Sequence, residues 1–457
     1  MLDRSVLKEV LDAALLRGGD FADLFIEERQ STLISLEDGQ VERVQSGLDR
    51  GAGVRVLSGE STAYAYTNDL SREGLLSAAD TAARAFGQGS SVQTRDLRKE
   101  TAPPALDLDP VPLERKVAAV TAADKAARAA DGAVKQVIVS YGDVLQRVTV
   151  ANSEGVFVED DRTRIRFTVN AVAAEGAVIQ TGFESLGTTD DFNAAFRERP
   201  PEEIAGAAAQ RAAALVHARP APSGRMAVVL SGEAGGTMVH EACGHGLEAD
   251  LVQKGLSVYG GKSGAVAAED VTVIDDATLP GKYGSYRFDD EGVGARPVVL
   301  IEKGELKDFL YDRKTASKED RASNGHGRRE SYQHKPIPRM GNTYIAPGKV
   351  PAEEIIRGVK DGFLVKKMGG GQVNTTNGDF VFEVAEGYLI EDGDVGRLVR
   401  GATLTGNGPE VLKKVALVGR DLGFTVGTCG KDGQGVPVSD AQPTLLVPEL
   451  TIGGVHG

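Results

Sequence analysis

The spacing of hydrophobic residues predicts helices and antiparallel strands in the N-terminal half of the chain. Helical spacing covers about 4–17, 70–86, 112–130 and 201–217. Alternation of apolar and polar residues predicts strands over about 21–30, 31–47, 51–69 and 134–183. Turn residues punctuate the strands at Asp38-Gly39 and at Gly51 to Gly53, and Pro201 is suited to the first turn of the last helix. We therefore predict an α+β fold for this half, with an antiparallel sheet and helices.

The composition and the hydrophobic pattern of the sequence change after the segment "ARPAPSG", residues 218–224. Beyond it the chain is rich in glycine and in short alternating stretches, such as "PVVLIEKGELKDFLYD" and "PTLLVPELTIGG". This pattern predicts a mostly-β domain with long functional loops. We predict an N-terminal α+β domain over 1–217, a linker over 218–224, and a C-terminal β-rich domain over 225–457.

Composition narrows the class of protein. Of the 457 residues 41% are hydrophobic and 26% charged, as in soluble globular proteins. No run approaches the roughly 18 apolar residues of a membrane span, and the opening segment carries early acids, unlike a secretory signal. Two cysteines are too few for a disulfide framework, so we expect a cytoplasmic protein. The net charge of −14 disfavours nucleic acid as a partner.

The main candidates for metal binding and catalysis lie in "TMVHEACGHGLEAD", where His240, Glu241 and His245 form the pattern H-E-x-x-x-H. In a regular α-helix, positions i and i+5 are separated by about 140° of rotation, too far to share one ion. A single wide turn with i→i+5 spacing would stack the two rings again, and such turns favour functional sites. The pattern therefore predicts a metal site on a distorted helix. The alternative is a pair of ordinary histidines in a glycine-rich turn.

The third ligand is not fixed by this local pattern. A catalytic zinc usually takes three protein ligands and leaves one position open. Glu248 and Asp250 lie close by in sequence, whereas Cys429 lies far away in "VGTCGKDGQGVPV". Glu248 would equally suit a role in orienting a histidine through its second ring nitrogen. Cys429 could be a thiolate ligand or a small buried residue, and Cys243, inside the motif, is interpreted as structural.

Two further segments are candidates for substrate binding. The stretch "GHGRRESYQHKPIPRM" could form a clamp for an oxyanion or a substrate carboxylate, a nucleic-acid patch, or a solvated loop. Its candidate residues are Arg328, Arg329, His334 and Arg339. In "MGGGQVNTTNGDFVF", no Lys-Ser/Thr follows the glycines, which disfavours a nucleotide loop. Bare backbone at Gly370 and Gly371 would instead let an extended peptide approach by strand addition.

Several of these segments together resemble one known family. The segments are "MVHEACGHGLEADLV", "RRESYQHKPIPRMGNTYIAPG", "GGGQVNTTNGDFVF", "EGYLIEDGDVGRLVRGATLTGNG" and "GTCGKDGQGVPV" followed by "QPTLLVPELTIGG". They look like the TldD/PmbA metallopeptidases, also called modulators of DNA gyrase. The TldD branch of that family keeps H-E-x-x-x-H and the distal cysteine, whereas the TldE/PmbA branch has lost them. This chain retains both, so it resembles the active subunit.

The resemblance implies a set of roles and a function. His240, His245 and Cys429 would hold Zn²⁺, and Glu241 would be the general base and acid for a zinc-bound water. The implied function is a zinc-dependent peptidase acting on unfolded or extended peptides. It implies a dimer, formed with a second copy or with a metal-free PmbA/TldE-type paralogue. The alternative is a non-enzymatic regulatory or binding protein of the gyrase-modulator kind, whose metal site would be structural and have four ligands.

Overall fold

A computed structural model describes residues 3–86, 92–100 and 111–454. The helices of the first half are Arg4–Ala14 (α1), Arg72–Arg84 (α2), Leu113–Ala130 (α3), Phe192–Glu198 (α4) and Pro201–His217 (α5). The strands of this half are Phe21–Glu37 (β1), Gln40–Ser58 (β2), Ser61–Thr67 (β3), Arg98–Lys99 (β4), Val134–Asn152 (β5), Val156–Glu175 (β6) and Val178–Thr188 (β7). The four helices expected from the hydrophobic spacing are all present, within three residues of the expected ends.

These strands form one seven-stranded sheet with the order β3-β2-β1-β5-β6-β4, in which β7 also pairs with β6. Neighbours are antiparallel except β4 and β6. The predicted turn at Asp38-Gly39 is present: both residues have positive φ, 49° and 76°, and Glu37 pairs with Gln40. Such a two-residue turn matches the twist of the strands it joins. Side chains of α3 and α5 pack with one face of the sheet in a continuous apolar core.

The turn predicted at Gly51 to Gly53 is wrong, because β2 runs through these glycines without interruption. The reason is close packing from a distant part of the chain. A Cβ atom at Gly51 would collide with the ring of Tyr332, and one at Gly53 would collide with the hydroxyl of Tyr64. Glycine inside a strand often marks such a close approach and not a turn.

Short strands dominate the second half. They are Arg219–Pro220 (β8), Gly224–Leu230 (β9), Val273–Asp276 (β10), Pro297–Glu302 (β11), Glu305–Leu306 (β12), Gly327–Arg328 (β13), Ile337–Pro338 (β14), Asn342–Ile345 (β15), Asp361–Val373 (β16), Asp379–Glu391 (β17), Asp394–Arg400 (β18), Thr403–Asn407 (β19), Leu417–Val418 (β20), Gly423–Lys431 (β21), Gln434–Gln442 (β22) and Leu445–Gly453 (β23). The helices are Thr237–Val239 (α6), Ala249–Gln253 (α7), Arg313–Ser317 (α8), Ala352–Arg357 (α9) and Gly408–Lys413 (α10).

Two larger sheets organise this half. One has eight strands, and its pairings close a ring through β9, β16, β17, β19 and β23. The other has the order β12-β11-β10-β15-β22-β21, and β13 pairs with β14 separately. Within the predicted linker, Arg219–Pro220 form β8 and pair with Val399 and Arg400; the division into domains stays a prediction. The described residues thus form a mixed α+β fold, and none of their helices is long and apolar enough to cross a membrane.

Candidate metal centre

The two motif histidines lie on a short distorted helix that follows β9. Residues His240–Gly244 form one π-helical turn, in which the backbone N–H of His245 donates to the carbonyl of His240. This is the i→i+5 turn that the motif spacing requires. It brings the two imidazole rings to 5.0 Å between centroids, with their planes at 87°. Gly244 allows the turn to pack on Met340, because a Cβ at this position would collide with the methionine sulfur.

Cys429 reaches the histidines from the hairpin of β21 and β22, where it lies opposite Val436. Its Sγ is 3.4 Å from Nε2 of His245, although the two residues are 184 positions apart in the chain. Ligand atoms of His240, His245 and Cys429 all lie within 4.8 Å of one another. The fold therefore brings these three residues together, and Cys429 is buried, with 4% exposure.

The charges of the three side chains depend on one another. Burial alone would raise the pKa of Cys429, but His240 and then His245 lower it to about 5. Burial alone would lower the pKa of His240, yet the Cys429 thiolate raises it above its ordinary value. Nδ1 of His240 is buried without a hydrogen-bond partner. Two imidazoles and a thiolate, with a buried ring nitrogen left unpaired, fit a soft divalent ion such as zinc.

Glu248, one of the ligands left open by the sequence, binds the far side of His245. Its Oε2 lies 3.0 Å from Nδ1 of His245 and 3.1 Å from Nζ of Lys431, and its Oε1 lies 3.8 Å from Nε of Arg339. Burial would raise the pKa of Glu248, but Lys431 and then His245 lower it to about 2. Glu248 is thus an ionised carboxylate that fixes the ring orientation of His245. Asp250 is held by Lys431 at 2.9 Å.

Two further acids lie beside the cluster. Glu241 is half-buried, its carboxylate accepts no hydrogen bond from the described residues, and burial raises its pKa. Asp440 on β22 is buried, and burial raises its pKa against the opposing effect of His240. Its Oδ1 accepts a hydrogen bond from the hydroxyl of Thr425 at 2.9 Å. Sequence reasoning missed Asp440, because the segment "VSDAQ" carries no motif and its proximity follows only from the pairing of β21 with β22.

The other candidate residues are distributed over three places. Arg328 and Arg329 are buried and line a cavity of about 440 Å³ beside the hairpin. Arg339 is fully buried and donates to the carbonyls of Cys429 and Gln434, so it supports the hairpin. His334 is half-buried, with Nδ1 3.0 Å from the hydroxyl of Ser331. The glycine pair is exposed on β16, at positions Gly370 and Gly371.

Comparison with known proteins agrees with this architecture. Three family models match the chain: PmbA/TldA metallopeptidase domain 1 over residues 22–86, the central domain over 106–216, and the C-terminal domain over 223–454. The metalloprotease TldD homolog of Haemophilus influenzae is 35% identical over 474 residues, covering 100% of this chain and 97% of the relative. The chain belongs to the TldD/PmbA family of metallopeptidases. A second relative in this family, a metalloprotease of Methanothermobacter thermautotrophicus, is 36% identical, with 98% of each chain covered.

The TldD/PmbA fold is also seen among solved structures. The crystal structure of TldE from Thermococcus kodakarensis superposes with a TM-score of 0.81 at 21% identity, covering 98% of this chain and 100% of that one. At this identity the likeness shows the fold alone. The whole length of this TldD/PmbA chain, and not only its C-terminal half, therefore shares the family architecture.

Proposed function

We propose that this chain is a zinc-dependent peptidase that hydrolyses unfolded or extended peptides. One observation carries the proposal: two imidazoles and a thiolate lie within 4.8 Å of one another, beside a carboxylate without a hydrogen-bond donor. Three protein ligands leave a coordination position open, which is typical of catalytic zinc, whereas structural zinc is closed by four. This argument favours catalysis over the alternative of a regulatory protein with a structural site.

The residues that would hold the ion are His240, His245 and Cys429. When bound, zinc supplies a Lewis acid that acidifies a water molecule and polarises a substrate carbonyl. The thiolate is available for binding near neutral pH because the neighbouring imidazoles lower the pKa of Cys429 to about 5. Glu248 keeps Nδ1 of His245 engaged, so Nε2 faces the sulfur.

Glu241 is the proposed general base and acid. Its Oε atoms take a proton from the attacking water and later deliver a proton to the leaving amine nitrogen. Burial raises the pKa of Glu241 toward neutral pH. A carboxylate with such a pKa both accepts and donates a proton more readily.

An extended substrate would be held by backbone pairing. Strand β16 pairs with β9 only from Gly362 to Val365, so its edge beyond Val365 has no second strand among the described residues. Gly370 and Gly371 are both exposed in that stretch, and open space surrounds the Cα of Gly370, whereas the Phe382 ring packs against Gly371. The open backbone at Gly370 supports strand addition by a peptide. Folded proteins use most of their backbone hydrogen-bonding groups within their own structure, so unfolded or extended chains are the favoured substrates.

The proposal includes a dimer, formed with a second copy or with a metal-free paralogue, in the cytoplasm. Strand β3 pairs with β2 only from Ala52 onward, so no other described strand pairs with this edge of β2 over residues 40–51, where Val44 and Leu48 are exposed. Open edges invite pairing with another chain. The two cysteines are both unpaired, which supports a reducing compartment. Light scattering of the purified chain, alone and with the paralogue, measures the assembly directly.

The test of the function compares the wild type with Glu241→Gln. We expect both proteins to bind one zinc per chain by elemental analysis. Hydrolysis of an unstructured protein such as casein should fall at least about 100-fold in the variant, since proton transfer contributes on this scale. Glu233→Gln is the matched control, because Glu233 is an exposed glutamate on the same segment.

Each assay is repeated with extract of the source cells, which supplies any companion subunit. Equal hydrolysis by the wild type and Glu241→Gln would reject the role of Glu241. A wild type that binds zinc and stays inactive in both conditions would contradict the peptidase proposal and favour the regulatory alternative.

A further inference from the structure

A cavity of about 440 Å³ lies between the N-terminal sheet and the hairpin of β21 and β22. The sheet provides residues of β1, β5 and β6, and the hairpin provides Thr428, Gly435 and Pro437. The walls are strongly basic. They include five arginines: Arg29, Arg162, Arg164, Arg328 and Arg329.

Two of these arginines are neutralised within the protein. Arg162 donates to the carboxylate of Asp160 at 2.9 Å and to that of Asp290 at 2.6 Å. Arg329 reaches the carboxylate of Asp23 at 3.5 Å and the backbone carbonyl of Asp290 at 2.9 Å. Their charges are therefore already balanced by buried carboxylates.

Arg164 and Arg328 are buried but have no such balance. Arg164 donates to the backbone carbonyls of Tyr283 and Ser285, both at 3.0 Å. Arg328 donates to the backbone carbonyls of Met340 and Pro437. Neither guanidinium forms an ion pair with any carboxylate of the described residues. Carbonyl contacts position the two guanidinium groups and leave both without a direct ion pair, although the carboxylate of Asp290 favours their charged forms from a longer distance.

Another buried arginine of this protein, outside the cavity, is paired with carboxylates. Arg55, which is equally buried, forms ion pairs with both Asp23 and Glu291. A lone buried charge is costly unless an opposite charge approaches it. Burial, followed by repulsion from Arg328 and Arg162, lowers the pKa of Arg164 to about 9. An anion between Arg164 and Arg328 would relieve that repulsion.

The acids that line the cavity do not supply this anion. Asp290 is shared between Arg162 and the backbone N–H of Arg329. The carboxylate of Asp289 is occupied, because it accepts hydrogen bonds from the backbone N–H groups of Glu291, Val293 and Gly327. The carboxylate of Glu330 accepts a hydrogen bond of 2.6 Å from the backbone N–H of Gly435 in the hairpin.

We propose that this cavity is a binding site for an oxyanion, a carboxylate or a phosphate group, held between the guanidinium groups of Arg164 and Arg328. Planar guanidinium groups match these anions in both geometry and charge. Arg29, which lines the same cavity, is half-buried and has no ion pair among the described residues, adds a third cation. The site is distinct from the metal cluster and needs no metal.

The hairpin of β21 and β22 connects the proposed anion site to the cluster of His240, His245 and Cys429. Thr428 faces the cavity, where its hydroxyl accepts a hydrogen bond from Arg166 at 2.9 Å, and the next residue is Cys429. Since successive side chains of a strand point to opposite faces, the sulfur lies on the other face of the same hairpin. Arg328 holds the carbonyl of Pro437, next to the cross-strand partner of Cys429. An anion bound here would stiffen the strand that carries the sulfur.

The test measures the melting temperature of the whole chain with two probes, inorganic phosphate and N-acetylalanine, each against sodium chloride at equal ionic strength. N-acetylalanine amide is the neutral counterpart of the second probe. We expect at least one anion to raise the melting temperature by a few degrees, because a ligand of the native state stabilises it by mass action. A shift with phosphate alone identifies phosphate as the ligand, and a shift with the carboxylate but not the amide identifies a carboxyl group.

Arg164→Gln should weaken binding of the effective probe at least tenfold, whereas Arg147→Gln should leave it unchanged. Arg147 is an exposed arginine on β5, away from the cavity. If Arg164→Gln does not fold, Arg29→Gln provides the same comparison with a smaller, severalfold loss. No shift of the wild type with either probe beyond that of sodium chloride would overturn the proposal. Equal binding by the wild type and every folded cavity variant would overturn it as well.

Discussion

The two cysteines show how far the surroundings of a residue decide its chemistry. Burial raises the pKa of Cys243 to about 12, and its thiol donates to the carbonyl of Val239 at 3.2 Å. Cys429 is also buried, yet the adjacent imidazoles lower its pKa to about 5. Because a thiolate binds metal well and a thiol does not, the neighbouring side chains make Cys429, and not Cys243, suited to the proposed role of metal ligand.

Asp312 provides a prediction at the same scale. Burial, followed by repulsion from Glu291, raises the pKa of this helix-capping carboxyl to about 6. Its folded-state pKa thus lies above the unfolded one, and the stability it contributes is lost as pH rises from about 4 to above 6. Asp312→Asn keeps an oxygen for the backbone N–H of Thr315 and removes the charge. We expect the free energy of unfolding at pH 8 to increase, on the order of 2 kcal/mol, and this gain to vanish near pH 4.

Chemical unfolding at several pH values measures this difference, with Asp3→Asn as the control. Asp3 also caps a helix, but it is exposed and the N–H of Ser5 lowers its pKa. The control should therefore show no gain at pH 8. A pH-independent effect of Asp312→Asn would contradict a raised pKa.

At the scale of elements, the wide helical turn is the feature that brings the two histidines of the motif together. The turn at His240–Gly244 is short, and it depends on close packing of Gly244 against Met340, which is fully buried. A regular helix would rotate His245 away from His240. The geometry of the cluster therefore depends on a glycine that contributes no ligand atom.

Gly244→Ala should disturb this turn. The added methyl group collides with Met340, so we expect a loss of about 1–3 kcal/mol in stability and at least tenfold weaker zinc binding. Gly206→Ala is the matched control in α5, where a Cβ meets nothing within 4 Å, and it should gain about 0.5–1 kcal/mol. Urea unfolding and competition with a zinc chelator measure both quantities. Unchanged zinc affinity in a folded Gly244→Ala protein would contradict the dependence on the turn.

At the scale of the whole molecule, buried charges join the N-terminal sheet to the loops of the second half. Arg55 on β2 contacts Asp23 of the same sheet and Glu291, which is 236 positions away. Arg162 on β6 contacts Asp290 in the same loop. These pairs are almost fully buried, so they couple the two halves through contacts that are costly to break singly.

Arg55→Gln should destabilise the molecule by about 3–5 kcal/mol, since two buried carboxylates lose their partner. Arg72→Gln is the control, because Arg72 forms an exposed pair with Glu9, and its loss should change stability far less than the loss of Arg55. Equilibrium unfolding in urea provides both values. Similar small effects of the two substitutions would show that the buried pairs do not hold the halves together.

The sequence carries part of this structure in local patterns. The long helices α3 and α5 and the turn at Asp38-Gly39 are predictable, since periodicity and turn chemistry act over a few residues. The seven-residue helix α4 is too short for such a signal. The pattern around Gly51 predicts a turn wrongly, because the ring that requires a glycine there belongs to Tyr332, far along the chain.

The candidate site, like the fold, is predictable from local sequence only in part. The spacing of His240 and His245 indicates a wide turn, but no local pattern brings Cys429 to them, and only family resemblance identified it. Asp440 and the unpaired charge of Arg164 depend on which strands become neighbours, so they are visible only in the folded chain.

X-ray absorption at the zinc edge tests the central assignment most directly. The purified wild type, loaded with one equivalent of zinc, should show one sulfur at about 2.3 Å and two imidazole nitrogens at about 2.0 Å. Cys429→Ser should lose the sulfur signal, and Cys243→Ser should keep it. A wild-type spectrum with only nitrogen and oxygen ligands, or a sulfur signal that survives Cys429→Ser, would contradict the assignment of His240, His245 and Cys429 as one metal centre.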